Sequence, residues 1–328
     1  MPSHPQSQLI LYAIYLLTRS ISGSIFVYNI LNGVTMIGVS PAYFLSRSGP
    51  TFGPRETLVG LPLLAKLGYG GYQAEVFQEE RMEDWDSRST QALLSKADSL
   101  GLRCTAFVAH FMGSRFASET ALLQGFDKDI ALRALALGAE LCPGGIFALP
   151  LPSLSAPGPS AARDRARKND LKPVLRESLL QLLNLAMAKG LSLGLELMPG
   201  NALGGSQDFL ALCEEPGFAG LGLVFDTGHF WAMGEAPQRL PSLLGRRIVA
   251  THLCDNDGIH NLSLCPGDGS IAFQATIDGL IENGYMGSLD IEIVCAREQV
   301  KQEYGKALVI MDNLSAGSPR FSGYKALS

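Results

Sequence analysis

A chain of 328 residues with 47% hydrophobic and only 17% charged side chains holds ample material for one large core, which excludes a disordered chain. The net charge is −5 and Lys and Arg form no dense cluster, which excludes a surface built to track a phosphate backbone, so no nucleic acid partner is expected. Six cysteines without a CxxC pair read as small buried hydrophobes of a reducing, cytoplasmic protein.

Residues 1–35 stand apart. Two apolar runs, Leu9 to Leu17 and Ile21 to Leu31, are divided by Arg19 and a Ser/Gly cluster. Neither reaches the roughly 20 apolar residues of a spanning helix, and no Lys or Arg precedes Leu9 as a signal peptide would require. This segment reads as an appendage, with Met36 an alternative start, and no membrane association is expected. From Met36 onward, short runs rich in Val, Ile, Leu and Phe alternate with longer amphipathic stretches.

Strands are predicted over 36–40, 72–77, 102–109, 145–149, 191–197, 221–226, 248–253 and 289–294. Helices are predicted near 55–67, 88–100, 119–138, 171–189, 206–214, 235–244, 271–283 and 298–314. Several helices end in Gly just before the next strand, as in LAKLGYGGY, ADSLGLR, AMAKGLS and IENGYMG, the left-handed stop of a helix C-terminus. Eight strand-helix units with none left over favour a closed (β/α)8 TIM barrel as one domain over 36–316, followed by a tail at 317–328. The Pro- and Ser-rich segment 149–170, after the fourth strand, reads as a long loop on the active-site face and a lid over the mouth.

The informative residues are polar groups at strand ends, because a carboxylate in a buried apolar run is costly unless paired or metal-bound. Glu196 in LGLELMP, Asp226 in LVFDTGHF, His252 in VATHLCDN and Glu292 in LDIEIV lie about one βα unit apart. In a parallel barrel, neighbouring strands deliver such residues to one rim. Three carboxylates and an imidazole at one point would repel as bare anions. One divalent metal ion resolves that repulsion, and the donor set suits Mn2+, Mg2+, Co2+ or Zn2+.

The motifs GYGGYQAEVF, LGLELMP, VFDTGH, THLCDNDG with CPGDGSI, and LDIEI resemble the xylose isomerase-like TIM barrel superfamily, in its sugar phosphate isomerase/epimerase and endonuclease IV-like branch. The resemblance covers roughly 36–316. It implies that Glu196, Asp226, His252 and Glu292 are metal ligands and that His229 contacts substrate or a further metal. It places Glu75, His110, Asp255 and Asn256 among the substrate-binding residues. The nuclease members carry an Asp-x-His pair at positions occupied here by Asn261 and Ser263, so a third metal is not expected; His260 lies one residue before that slot. The CPGDGS segment reads as a turn, the alternative being a segment that aims backbone N–H groups into the mouth at the start of the next helix.

These features predict a divalent-metal-dependent isomerase or epimerase of a sugar, keto-polyol or sugar phosphate, working by proton transfer through a metal-stabilised enediolate. Glu196 and Glu292 would serve as general base and acid, and His229 would orient a substrate oxygen. The alternatives are a metal-dependent lyase or dehydratase of a keto-polyol, an endonuclease IV-like phosphodiesterase, and a non-catalytic sugar-binding barrel. Arg47, Arg55, Arg81 and Arg115 are candidates to grip a phosphate or carboxylate. Relatives with this barrel commonly pair, so a homo-oligomer is possible.

Overall fold

The computed structural model describes residues 36–154 and 161–316. The predicted appendage at 1–35 and tail at 317–328 lie outside the described residues. Eight parallel strands form one sheet: β1 Ile37–Val39, β2 Gly71–Glu75, β3 Arg103–Val108, β4 Ile146–Leu151, β5 Ser192–Leu197, β6 Gly222–Asp226, β7 Ile248–His252 and β8 Leu289–Ile291. Their order is β7-β6-β5-β4-β3-β2-β1-β8. The ends of this row meet where the Leu253 amide donates to the Asp290 carbonyl at 2.8 Å and the Glu292 amide to the Leu253 carbonyl at 3.0 Å. The chain is therefore a single-domain (β/α)8 barrel, nearly closed between β7 and β8.

Eleven helices accompany the strands among the described residues: α1 Ala42–Ser48, α2 Pro54–Leu67, α3 Ser87–Ser99, α4 Glu119–Gln124, α5 Lys128–Leu141, α6 Ala161–Ala188, α7 Ser206–Cys213, α8 Thr227–Ala232, α9 Leu240–Leu244, α10 Phe273–Glu282 and α11 Val300–Ala316. None is long and apolar enough to cross a membrane. Local chemistry sets their ends. Proline opens α2, where the Gly53 amide donates to Glu56 Oε2 at 3.0 Å, and Gly68 closes it at φ 106°. The single helix predicted over 119–138 is instead two. Gly125 at φ 71° stops α4, and the Asp127 carboxylate then accepts the Asp129 and Ile130 amides to start α5.

The predicted loop at 149–170 also requires correction. Strand β4 continues to Leu151 in register with Leu197 of β5, Ser153 bridges to Asn201, and α6 begins at Ala161. The run AARDRARKND consists largely of strong helix formers, so the helix starts ten residues before the predicted 171, and Pro173 is accommodated inside it. Only residues 155–160 of the proposed lid lie outside the described residues.

The main core lies between the strands and the helical ring, with aromatic packing of Tyr43 against Tyr304 and of Phe44 against Tyr72. A second, smaller core joins Val108, Ala148, Val224 and Ala250 from β3, β4, β6 and β7. Polar side chains are buried among the strands as well: Gln73 and Asp290 are fully buried, and Thr105 is hydrogen-bonded to Asp290. All six cysteines are free thiols, four of them buried.

Candidate metal centre

Side-chain direction alternates along a strand, so the last inward residue of each strand reaches the C-terminal rim. Glu75, Glu196, Asp226 and His252 occupy that position on β2, β5, β6 and β7, and Glu292 follows the last residue of β8. Glu196, Asp226, His252 and Glu292 each offer a ligand atom, and all four atoms lie within 4.8 Å of one another. His252 Nδ1 is 3.1 Å from Glu292 Oε2, 3.3 Å from Glu196 Oε1 and 4.0 Å from Asp226 Oδ2. Glu196, Asp226 and His252 are buried and Glu292 is nearly so.

Asp226 has two roles available to its two oxygens. As the N-cap of α8, its Oδ1 accepts the His229 amide at 2.8 Å. Its Oδ2 is buried and has no hydrogen-bond partner. His229 Nδ1 is likewise unpartnered, although it sits 3.4 Å from both Glu196 Oε1 and Asp226 Oδ2 without hydrogen-bond alignment. Orphaned buried acceptors are rare and costly, and here they face a common centre. Three hard oxygen donors plus one imidazole form a donor set that fits a divalent cation.

The electrostatics agree with that fit. Burial favours a neutral His252, but the adjoining Glu292 and Glu196 outweigh it and hold the imidazole up at about 10. Burial likewise pushes Glu292 up, with only partial relief from His252. For Glu196 the opposing fields of His252 and His229 win over burial, and its carboxyl is held below the usual range.

The mouth above the cluster is a cavity of about 180 Å³. Glu75 and His110 face it as a pair, with His110 Nδ1 3.3 Å from Glu75 Oε1 and the imidazole stacked on Phe77 at 4.2 Å. Burial raises the Glu75 carboxyl despite His110, and Glu75 in turn holds His110 above its ordinary value against the downward pull of burial. Pro41, Leu45, Phe77, Met198 and Val294 supply an apolar wall. Asn261 and Ser263 line the cavity too, so neutral side chains stand where a nuclease-type ligand pair would be.

Other sequence-nominated residues are engaged elsewhere. Asp255 accepts the amides of Asn256, Gly267 and Ile271 at 2.8, 2.9 and 3.0 Å, so its carboxylate organises the loop after β7. The CPGDGS turn accordingly directs its Gly267 amide at Asp255 and not at the mouth. Asn256 ties the Gly228 carbonyl to the Leu262 amide, and neither Asp255 nor Asn256 lines the cavity. His260 pairs with Asp257 at 2.8 Å on the surface. Arg47 lies over the Tyr43 ring, Arg81 pairs with Asp84 and Arg115 with Glu79, and none of the four nominated arginines lines the cavity.

Two buried residues below the cluster were not nominated: Gln73 and Asp290. Each lies two positions before a rim carboxylate, Glu75 and Glu292 respectively, and the strand period of two was the available signal.

Eight parallel strands whose C-terminal rim gathers acids and an imidazole around one point define a (β/α)8 barrel with a candidate metal centre. The family model for the xylose isomerase-like TIM barrel matches residues 61–314, and the chain belongs to that family. Inosose isomerase of Bacillus velezensis is 25% identical over 143 residues, 41% of this chain and 51% of that protein. The chain's matches span about half the length of the curated relatives. An L-ribulose 3-epimerase superposes with a TM-score of 0.67 at 18% identity, covering 89% of this chain and 100% of the other. The IolI protein, solved with a bound zinc atom, gives a TM-score of 0.62 at 17% identity over 89% and 100%. At such identities these two structures speak to the fold alone.

Proposed function

We propose that this chain is a divalent-metal-dependent isomerase or epimerase of a carbohydrate, a sugar, keto-polyol or sugar phosphate, in the cytoplasm. The carrying observation is the convergence of Glu196, Asp226, His252 and Glu292 on one point under an open cavity. Family membership and the inosose isomerase relative support the same reaction class.

A carbon acid beside a carbonyl is too weak to lose its proton at neutral pH unaided. Glu196, Asp226, His252 and Glu292 would hold a divalent ion, which would supply Lewis-acid stabilisation of the charge that develops on deprotonation. Glu196 and Glu292 reach the centre from separated strands and flank the substrate carbon, one removing the proton and the other returning it. His229, buried and with Nδ1 unpartnered, orients a substrate oxygen. Glu75 and His110 bind substrate hydroxyls across the cavity, and the apolar wall excludes water and packs against the C–H faces of the ring or chain.

The test is incorporation of solvent deuterium into a panel of ketoses, inososes and their phosphates by Mn2+-loaded protein. One substrate is expected to exchange a carbon-bound proton as it isomerises. Glu196→Gln and Glu292→Gln are each expected to slow that exchange by roughly 10²- to 10⁴-fold. Full turnover by either variant with its metal retained would remove the assignment.

A further inference from the structure

A metal-binding imidazole must present one nitrogen as a lone pair, and the partner of its other nitrogen decides which one. His252 Nε2 lies 2.9 Å from Gln73 Oε1. A carboxamide oxygen only accepts, so Nε2 carries its hydrogen and Nδ1 is the nitrogen turned toward Glu196 and Glu292. The amide is itself oriented from its far end. Gln73 Nε2 donates to Asp290 Oδ2 at 2.9 Å, and the same oxygen accepts from Thr105 Oγ1 at 3.2 Å and Ser288 Oγ at 2.6 Å. With that oxygen demanding donors, the Gln73 amide has one satisfactory orientation.

This arrangement is expensive and the fold does not require it. Elsewhere among the strands Val108, Ala148, Val224 and Ala250 form an apolar cluster, with no polar side-chain atom to satisfy. Gln73 and Asp290 are both at 0% exposure, where a carboxamide and a carboxylate are costly even when hydrogen-bonded. The backbone also makes room for them, since a Cβ on Gly38 would stand 2.0 Å from Asp290 Oδ1. A buried polar chain that ends on the one imidazole of the cluster has a use that packing alone does not supply.

We infer that Gln73, oriented by Asp290, is the positioning residue that fixes the His252 ring so that Nδ1 faces a divalent cation. The inference rests on the metal-dependent reading above and adds two residues to it.

Zn2+ affinity by competition titration and ¹H–¹⁵N spectra of ¹⁵N-histidine-labelled protein, metal-free and Zn2+-loaded, test it together. In the native protein a low-field, slowly exchanging His252 Nε2–H resonance is expected. Gln73→Leu is expected to remove that resonance and to weaken Zn2+ binding by roughly 10- to 100-fold. The double variant Gln73→Glu with Asp290→Asn reverses the donor and acceptor between the two positions while still accepting from Nε2–H, and is expected to restore both. Gln73→Leu binding Zn2+ within twofold of native, with the resonance in place, would overturn the inference alone. So would a loss that the double variant fails to recover, since the cavity and not the hydrogen bond would then matter. A native protein that takes up no Zn2+ would overturn the metal-dependent reading and the inference with it.

Discussion

Replacing Asp290 with Asn is expected to stabilise the metal-free protein, and to do so only above the acid range. Burial raises the Asp290 carboxyl from 3.8 to about 6, against the downward effect of hydrogen bonds from Ser288 and Gln73. Its Oδ1 has no hydrogen-bond partner at all. A folded-state pKa above the unfolded value means that the native state holds the proton more tightly. The associated stability is present below pH 4 and is lost as pH rises through 6. Two pKa units correspond to about 3 kcal/mol, so ionised Asp290 opposes folding by about that amount at pH 8. The carboxamide introduced by Asp290→Asn keeps an oxygen for the Gln73 amide and carries no charge at any pH. The gap between variant and native should therefore be small at pH 4 and near its full value by pH 7, a rise of about 6–12 °C in melting temperature for a domain of this size. Thermal and urea unfolding in the presence of a chelator, at half-unit steps from pH 4 to 8, read the gap directly. A gap that does not change with pH, or an Asp290→Asn variant less stable than native at pH 8, would refute the reasoning.

Three further outcomes are expected. Mn2+ at one hundred times its dissociation constant should add about 2.7 kcal/mol to stability, a melting shift of about 5–11 °C in a thermal scan. Because His252 is held up at about 10 and its Nδ1 proton must leave before a cation can bind there, affinity should rise about tenfold per pH unit for each proton displaced. Calorimetry in buffers of different ionisation enthalpy, from pH 6.5 to 8.5, checks this, and a flat profile would contradict it. Gly38→Ala should cost about 1–3 kcal/mol or more in urea unfolding, because its Cβ meets the Asp290 carboxylate and the Gly71 backbone. Pairing it with Asp290→Ala should recover part of that loss.

The architecture was legible because each βα unit writes its own signal. Apolar runs of strand length, amphipathic stretches of helix length and glycine stops are all local, and eight units appear whether or not the barrel has closed. Glu196, Asp226, His252 and Glu292 were legible for the same reason, as polar residues that interrupt apolar strands. The errors lie where one local pattern imitates another. A Pro- and Ser-rich start hid the first ten residues of α6, and the apolar rhythm of 119–138 ran past the Gly125 stop. The short segments Ala42–Ser48 and Thr227–Ala232 are helices too brief for periodicity to announce.

From its residues alone this chain declared a parallel barrel and the strand ends that carry its acids and imidazole, since strand period and burial cost act within a few neighbouring residues. Tertiary structure decided what those groups touch. Gln73 and Asp290 are 217 positions apart and meet only when β1 lies between β2 and β8. Asp255 could be read equally as a substrate contact or a loop anchor until the amides of Gly267 and Ile271 closed around it. Hydrogen bonds are short-ranged and directional, so partners distant in sequence exist only once the closed sheet has set the distances between strands.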